Sequence, residues 1–405
     1  MFKRLRTIGP GALVAAAFIG PGTVTTSTLA GANYGYTLIW ALVFATLATV
    51  ILQDMSSRLG TVAQRGLGSA IRDTLQASVW RWPVYATVLV AIFLGNCAYE
   101  AGNIAGATAG IITLTGVSDA GVPAVVAGLF IVATALLLSG NYRLLERCLL
   151  GLVALMALAF ITTFVLVRPS LGALLQGALI PRLPDGSLLT VIALIGTTIV
   201  PYNLFLHASA AKHRWRGAED IADARFDTTV SIGLGGLIAI LIVCTAAAGL
   251  FSAGHSVASA ADMARQLEPA FGSYSRVLLG VGLFAAGLTS AIAAPLATAF
   301  VVTELLGLDT SVRSRAFRGT AVAVLLSGAL LAVTGIRPLE LIVAAQFANG
   351  LLLPFVAGFL LMVMNQERLL GAHVNGRIAN LLGVTVLLVT AGLGLRLLAR
   401  SIGWL

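Results

Sequence analysis

Charge is scarce in this chain. Of 405 residues only 10% are Asp, Glu, Lys or Arg, against 58% hydrophobic, and the mean hydropathy is +0.97. An ordinary soluble domain carries about a quarter of charged residues, so that class is excluded. Cysteine is rarer still. Cys97, Cys148 and Cys244 all fall in apolar segments and no CxxC occurs, so small-residue packing is expected rather than a disulfide or a metal site. There is no HExxH, no phosphate-binding glycine loop and no pairing of nucleophile with base, so the chain does not read as an enzyme.

What fills the sequence instead is apolar runs, and about 20 such residues cross a bilayer as a helix. Eleven spans are expected, over 8–31, 37–58, 84–114, 121–140, 144–167, 187–210, 228–252, 273–305, 319–335, 339–364 and 377–399. A signal peptide is not expected, because no processing site follows the first run and spans continue to the end. The chain reads as an all-α polytopic membrane protein, placed in a bacterial inner (plasma) membrane. The net charge of +9 fits cationic loops meeting anionic lipid rather than nucleic acid. With the N-terminus inside, 18 of the 25 Lys and Arg fall in cytoplasmic segments, beginning with Lys3, Arg4 and Arg6. The N-terminus is therefore expected in the cytoplasm and the C-terminus outside.

Three polar stretches punctuate the spans. "AKHRWRGAEDIADARFD" (211–227) is expected as a solvated cytoplasmic loop, with room for a short amphipathic helix. "QASVWRWPVY" (76–85) has the aromatic and basic make-up of an interfacial anchor. Asp54 and Arg58, four apart at the end of span 2, are expected to pair along one helix.

The informative feature is a matched pair of interruptions. Span 1 contains "FIGPGTVTTS" and span 6 contains "IGTTIVPYNLFLHAS", each with a proline in mid-membrane beside small or hydroxyl residues. Single kinks of this kind are tolerated in membrane helices. Two, five spans apart, match a transporter built from inverted repeats, each opened by a broken helix. The first repeat is expected over 1–168 and the second over 187–364, with a cytoplasmic loop and span 11 over 365–405, all in one membrane domain. Alternating access is favoured over a channel on the same ground.

These stretches carry a resemblance. The chain resembles the Nramp metal-ion transporters, which have a LeuT-like fold. Family members carry Asp-Pro-Gly-Asn in span 1 and Met-Pro-His in span 6, with a second His later. This chain has Gly20-Pro21-Gly22-Thr23, Val200-Pro201-Tyr202 and His207. The segments 31–60, 96–110 (with Glu100 and Asn103), 285–299 and 344–355 (with Gln346) are similar to spans 2, 3, 8 and 10, so the resemblance covers most of the chain. It implies an 11-span LeuT-like fold with a 5+5 inverted repeat, spans 1 and 6 broken. In the family, a divalent metal is held by the span 1 Asp and Asn, the span 6 Met and a carbonyl three residues before it. The matching positions here are Gly20, Thr23, Val200 and Thr197, so the carboxylate and the thioether are missing.

Transition metals need imidazole, sulfur or carboxylate ligands, and hard dications usually a carboxylate. A dication in mid-membrane among neutral dipoles is costly, so no metal ligand set is expected. Helix N-termini at the breaks favour the opposite charge. The expected substrate is a small anion such as bicarbonate or a short carboxylate. Its site comprises Gly20, Pro21, Gly22, Thr23, Thr26, Thr197, Val200, Tyr202, Asn203 and Gln346, with Thr23, Thr26, Thr197, Tyr202 and Asn203 as hydrogen-bond donors. The alternative is a divalent cation, Mg²⁺ before Mn²⁺ or Fe²⁺, with proton coupling. No cofactor is expected, but Na⁺ is a candidate coupling ion at Thr289 and Ser290 with carbonyls near Ala17 and Gly20. The competing reading of that pair is simple packing or bonding to the preceding turn. Glu100 is either a proton relay or a buried acid bonded to Asn96 or Asn103, and His207 either a gating group or a core histidine. Gln346 and Asn349 either reach the site or bridge helices. The partners are thus a small inorganic ion or carboxylate and the bilayer, and no feature sets an oligomeric state.

Overall fold

The computed structural model describes residues 9–139 and 143–401. Lys3, Arg4 and Arg6, the first residue of the span expected at 8–31, the last of that at 121–140, and the side chains of Arg143, Arg147 and Cys148 lie outside the described residues. Among the described residues the chain is helical without strands. The first span is two helices, α1 (Pro10–Phe18) and α2 (Pro21–Tyr34). There follow α3 (Ile39–Arg58), α4 (Leu67–Leu75), α5 (Arg81–Thr115), α6 (Val122–Ser139), α7 (Arg143–Val167) and α8 (Leu171–Leu179). The sixth span is again two helices, α9 (Leu188–Thr198) and α10 (Pro201–Arg214). The rest comprises α11 (Ile221–Ala246), α12 (Ser275–Leu306), α13 (Arg315–Ala332), α14 (Pro338–Met364) and α15 (Arg377–Ser401), with short helical turns between them.

Among the described residues ten helical stretches are long and apolar enough to cross a membrane, and the split first segment makes eleven spans. Their outward faces keep large apolar side chains exposed, among them Leu47, Ile131, Leu158, Val165, Leu330 and Leu388, as a lipid-facing belt requires. Trp80 and Trp82 are also exposed, and the Arg81 guanidinium lies 4.8 Å from the Trp82 ring centroid. That is the geometry of an aromatic and basic anchor at a membrane interface.

Inside, α5 packs along α12 and α14 through small residues. A Cβ on Gly287 would fall 2.6 Å from the Ala107 backbone nitrogen, and one on Gly102 would fall 2.9 Å from the Ala345 methyl. Close approach of backbones is how membrane helices gain contact area when lipid and side chains are equally apolar.

Two local expectations are corrected. The long loop at 211–227 is replaced by a short connection over 215–220, because α10 continues to Arg214 and α11 starts at Ile221. Asp54 turns away from Arg58 and takes the fork of Arg225 on α11, at 2.7 and 3.3 Å. Arg58 instead donates to Asn375 Oδ1. A planar guanidinium facing a carboxylate across two helices offers two parallel bonds, which an i,i+4 neighbour does not.

Candidate functional site

Both breaks have the same local cause. Proline lacks an N–H and drives the residue before it out of the helical region. Gly20 is accordingly extended (φ −101°, ψ −174°) before Pro21, and Val200 is extended (φ −78°, ψ 120°) before Pro201. Each proline then occupies the first position of a new helix, where its missing N–H matters least.

The breaks face each other. Thr23 Oγ1 donates to the Phe18 carbonyl at the end of α1 and lies 3.0 Å from Thr197 Oγ1. A hydroxyl has a single proton, so with the Thr23 proton on Phe18, it is Thr197 that donates to Thr23. One helix over, α14 clamps both breaks with a single residue. The Gln346 amide fills the place where Gly22 lacks a side chain, and the Gln346 backbone oxygen lies against Gly196. From the other side, α5 presses on the first break: the Pro21 ring occupies the space over Gly106. The rings of Tyr99 and Tyr202 pack edge to face, with centroids 5.4 Å apart. A Cβ on Gly20 would fall 3.0 Å from Ser290 Oγ and 3.8 Å from the Tyr99 hydroxyl.

The hydroxyls divide their work in an uneven way. At the carbonyl ends of the broken helices, Phe18 accepts from Thr23 and Ala17 from the Tyr99 hydroxyl at 3.4 Å, while Thr49, whose proton goes to Ala45 at 2.6 Å, only lies 3.3 Å from the Thr198 carbonyl. At the amide ends, neither Gly20 nor Val200 supplies a side-chain cap. In α2 the first intrahelical bond is Val24 N–H to the Gly20 carbonyl at 3.3 Å, leaving the N–H groups before it without an acceptor in the helix, whereas in α10 the Asn203 N–H already bonds the Val200 carbonyl at 3.1 Å. At the first break the negative end is therefore covered by neutral donors, and the positive end has no side-chain cap. Thr23 and Thr26, expected as donors to a substrate, here give their protons to protein carbonyls. Thr26 donates to the Gly22 carbonyl at 2.7 Å, a back-bond to its own helix.

Of the coupling-ion set, Ser290 stands against Gly20, the Ala17 carbonyl is engaged by Tyr99 and Thr289 donates to Ala285 of its own helix at 2.7 Å. Several buried polar atoms have no partner among the described residues: Ser290 Oγ, both amide atoms of Asn203, Gln346 Oε1 and Asn349 Nδ2. An unmet buried group costs about 1–3 kcal/mol, so a cluster of them marks a place built for water or a ligand. About two turns from the breaks along α2 and α9, a mainly apolar cavity of about 490 Å³ is lined by Leu29, Leu189, Leu339 and Phe347, together with Arg337 and Glu340.

The sequence matches the natural resistance-associated macrophage protein-like (Nramp) family over residues 11–400. The chain belongs to the Nramp family. It is 28% identical over 402 residues to the divalent metal cation transporter MntH of Yersinia pestis (strain Pestoides F), covering 98% of this chain and 95% of that one. The MntH of Pectobacterium carotovorum is also 28% identical, with 98% and 94% covered. Among solved structures, the Eremococcus coleocola manganese transporter in complex with an aromatic bis-isothiourea substituted compound superposes with a TM-score of 0.79. It is 22% identical, with 98% of this chain and 87% of that one covered. The inward-facing conformation of Mhp1, at 15% identity and a TM-score of 0.55 with 97% and 91% covered, shares the LeuT-like fold. The chain is thus a membrane transporter and not an enzyme.

On this Nramp frame no group of three His, Cys, Asp or Glu side chains suited to a metal occurs among the described residues. Glu100 does not supply the missing carboxylate. Its side chain fills the space over Gly328 of α13, and its Oε2 accepts from Asn103 at 3.2 Å. Asn96 goes elsewhere, to Thr298 at 2.6 Å. His207 is buried, its Nδ1 2.9 Å from Gln53 Oε1, and Nε2 has no partner among the described residues.

Two buried acids escaped the reading of the sequence. Asp227, placed there in a solvated loop, is fully buried and caps α1, accepting from Gly9 and Gly11 nitrogens at 3.0 and 2.7 Å. Glu304, in the last turn of α12, is buried with Lys212 Nζ at 3.3 Å and Ser209 Oγ at 2.9 Å. The available signal was position: Asp227 directly precedes an apolar run and Glu304 closes one.

Proposed function

We propose that this Nramp-family transporter carries a small oxyanion, of the size of bicarbonate or a short carboxylate, by alternating access between the two repeats at 1–168 and 187–364. The observation that carries the reading is the uneven capping of the first break: its carbonyl end is covered by Thr23 and Tyr99, and its amide end, like that of α10, has no side-chain cap. Uncapped N-termini with an inward dipole attract anions, and the lining has no carboxylate to offset a dication. The excess of Lys and Arg in alternate loops supports a cytoplasmic N-terminus and an external C-terminus.

A second reading rests on two observations. The relatives are named divalent metal cation transporters, and Ser290 Oγ, Gln346 Oε1 and Asn203 Oδ1 are unengaged hard oxygens. Mg²⁺ keeps several waters and needs few protein ligands, so a hydrated Mg²⁺ is the cation that suits these groups. Uptake into proteoliposomes separates the readings, comparing labelled bicarbonate and acetate with Mg²⁺ and Mn²⁺. Repeating each with a Na⁺ or a proton gradient tests coupling. Anion uptake that saturates and does not need a metal supports the first reading; uptake of metal alone overturns it.

A further inference from the structure

Beyond the far end of α2 lies a second polar cavity, of about 500 Å³, enclosed by the turn after α2, the start of α8 and the end of the seventh span. Tyr34 is eleven residues from Thr23, about 16 Å along a helix, so this cavity is distinct from the breaks. Arg168 and Arg182 both line it, with Tyr34, Tyr36, Ser170 and Gln176, and no Asp or Glu does. Elsewhere on the same face, Arg265 pairs with Asp262 and Arg337 with Glu340. Two exposed arginines lining one space without a carboxylate raise the local potential for an anion.

The cavity is held in shape. Gly177 of α8 lies directly against the Tyr36 carbonyl, leaving no room for a side chain. Trp40 Nε1 donates to the Arg182 carbonyl at 3.0 Å. Arg168 has a left-handed backbone (φ 47°), one of two non-glycine residues so placed among those described. Such conformations persist where surrounding structure over-determines them, often at binding sites. The opposite side of α8 shows where the cavity sits. Leu171, Leu175 and Leu179 are 68%, 56% and 75% exposed and recur every four residues, forming one apolar stripe. A short helix whose outer face is such a stripe turns that face to lipid, and Arg168 and Arg182, close to either end of it, bring charge to the same level.

We propose that Arg168 and Arg182 form a binding site for a phosphate-class oxyanion at the membrane surface. Two guanidinium forks match the oxygens of a phosphate, and Tyr34, Tyr36, Ser170 and Gln176 supply further hydrogen-bonding groups. The oxyanion comes either as the headgroup of an anionic phospholipid or as free phosphate, and the site is independent of which substrate crosses at the breaks.

The full chain, purified in neutral detergent, is titrated with phosphatidylglycerol, with phosphatidylcholine and with inorganic phosphate, and bound ligand is counted by native mass spectrometry and calorimetry. Saturable phosphatidylglycerol binding, weakened about tenfold or more by Arg168→Gly with Arg182→Ala, is the expected result. Arg276→Ala, on the same face and outside the cavity, leaves it unchanged. Arg168→Gly keeps the left-handed backbone without strain, and an unchanged melting temperature shows that the variant is folded. Saturation by inorganic phosphate with the same loss in the variant assigns the site to a free anion. Binding of both ligands unaltered by the two substitutions, or absent from the parent chain, overturns the proposal.

Discussion

The Asp227 carboxylate accepts a hydrogen bond from the Gly11 nitrogen at 2.7 Å and a second from Gly9, so α11 closes the N-terminus of α1. A negative group at this end of a helix meets both its free N–H groups and its dipole. Asp227→Ala should lower stability by about 1–2 kcal/mol, read as a fall in melting temperature in detergent. Asp227→Asn, which keeps one acceptor, should fall less.

Thr23→Val removes the hydroxyl that covers Phe18 and meets Thr197. Each buried hydrogen bond lost is worth about 0.5–1.5 kcal/mol of stability, and with the carbonyl end of the first break bared, uptake of the anion should drop. Thr26→Val, at a hydroxyl bonded within its own helix, should stay within about twofold. Equal effects at the two positions would remove the special role of the facing pair.

Restoring the family's metal ligands tests the site from the other direction. Gly20→Asp with Val200→Met should abolish anion uptake and create Mn²⁺ binding measurable by calorimetry. A Cβ at position 20 lies 3.0 Å from Ser290 Oγ, so adding Ser290→Ala should tighten that Mn²⁺ binding further.

Gly22 and Gln346 share one space, which predicts a non-additive pair. Gly22→Ala should impair transport strongly by displacing the amide. Combining it with Gln346→Ala should recover part of the loss relative to Gly22→Ala alone, measured as initial uptake rates.

Breaking the Lys212–Glu304 pair strands a buried carboxylate. Removing one partner of a buried pair costs about 3–5 kcal/mol, and the partial exposure of Lys212 puts this case at or below the low end of that range. Lys212→Met should therefore melt earlier than Lys212→Met with Glu304→Gln.

The legible parts of the molecule were those set by local chemistry. Pro21 and Pro201 fix where the first and sixth spans break, and apolar runs fix the spans, because both act within a few residues. What Asp54, Asp227 and Glu304 do was hidden, since their partners lie across the bundle: Asp54 meets Arg225 and Asp227 meets Gly9 and Gly11. The hydroxyls of Thr23 and Thr26 were rightly placed near the break, yet the direction of their protons depends on which carbonyl stands bare in three dimensions. Gln346 shows the same limit. Its presence near the site could be read from the sequence, whereas its grip on both broken helices required Gly22 and Gly196 to be brought beside it.

The glycine at position 20 has an electrical consequence. A carrier whose cargo site holds a fixed carboxylate crosses the field with a charge of its own when empty. With Gly20 and Val200 at these positions, the empty site contributes none, and the moving charge of the loaded carrier is that of its cargo. On the proposed function, and with no coupling ion, the membrane potential, worth about 2.3 kcal/mol per charge for each 100 mV, should act on the loaded step more than on the empty return.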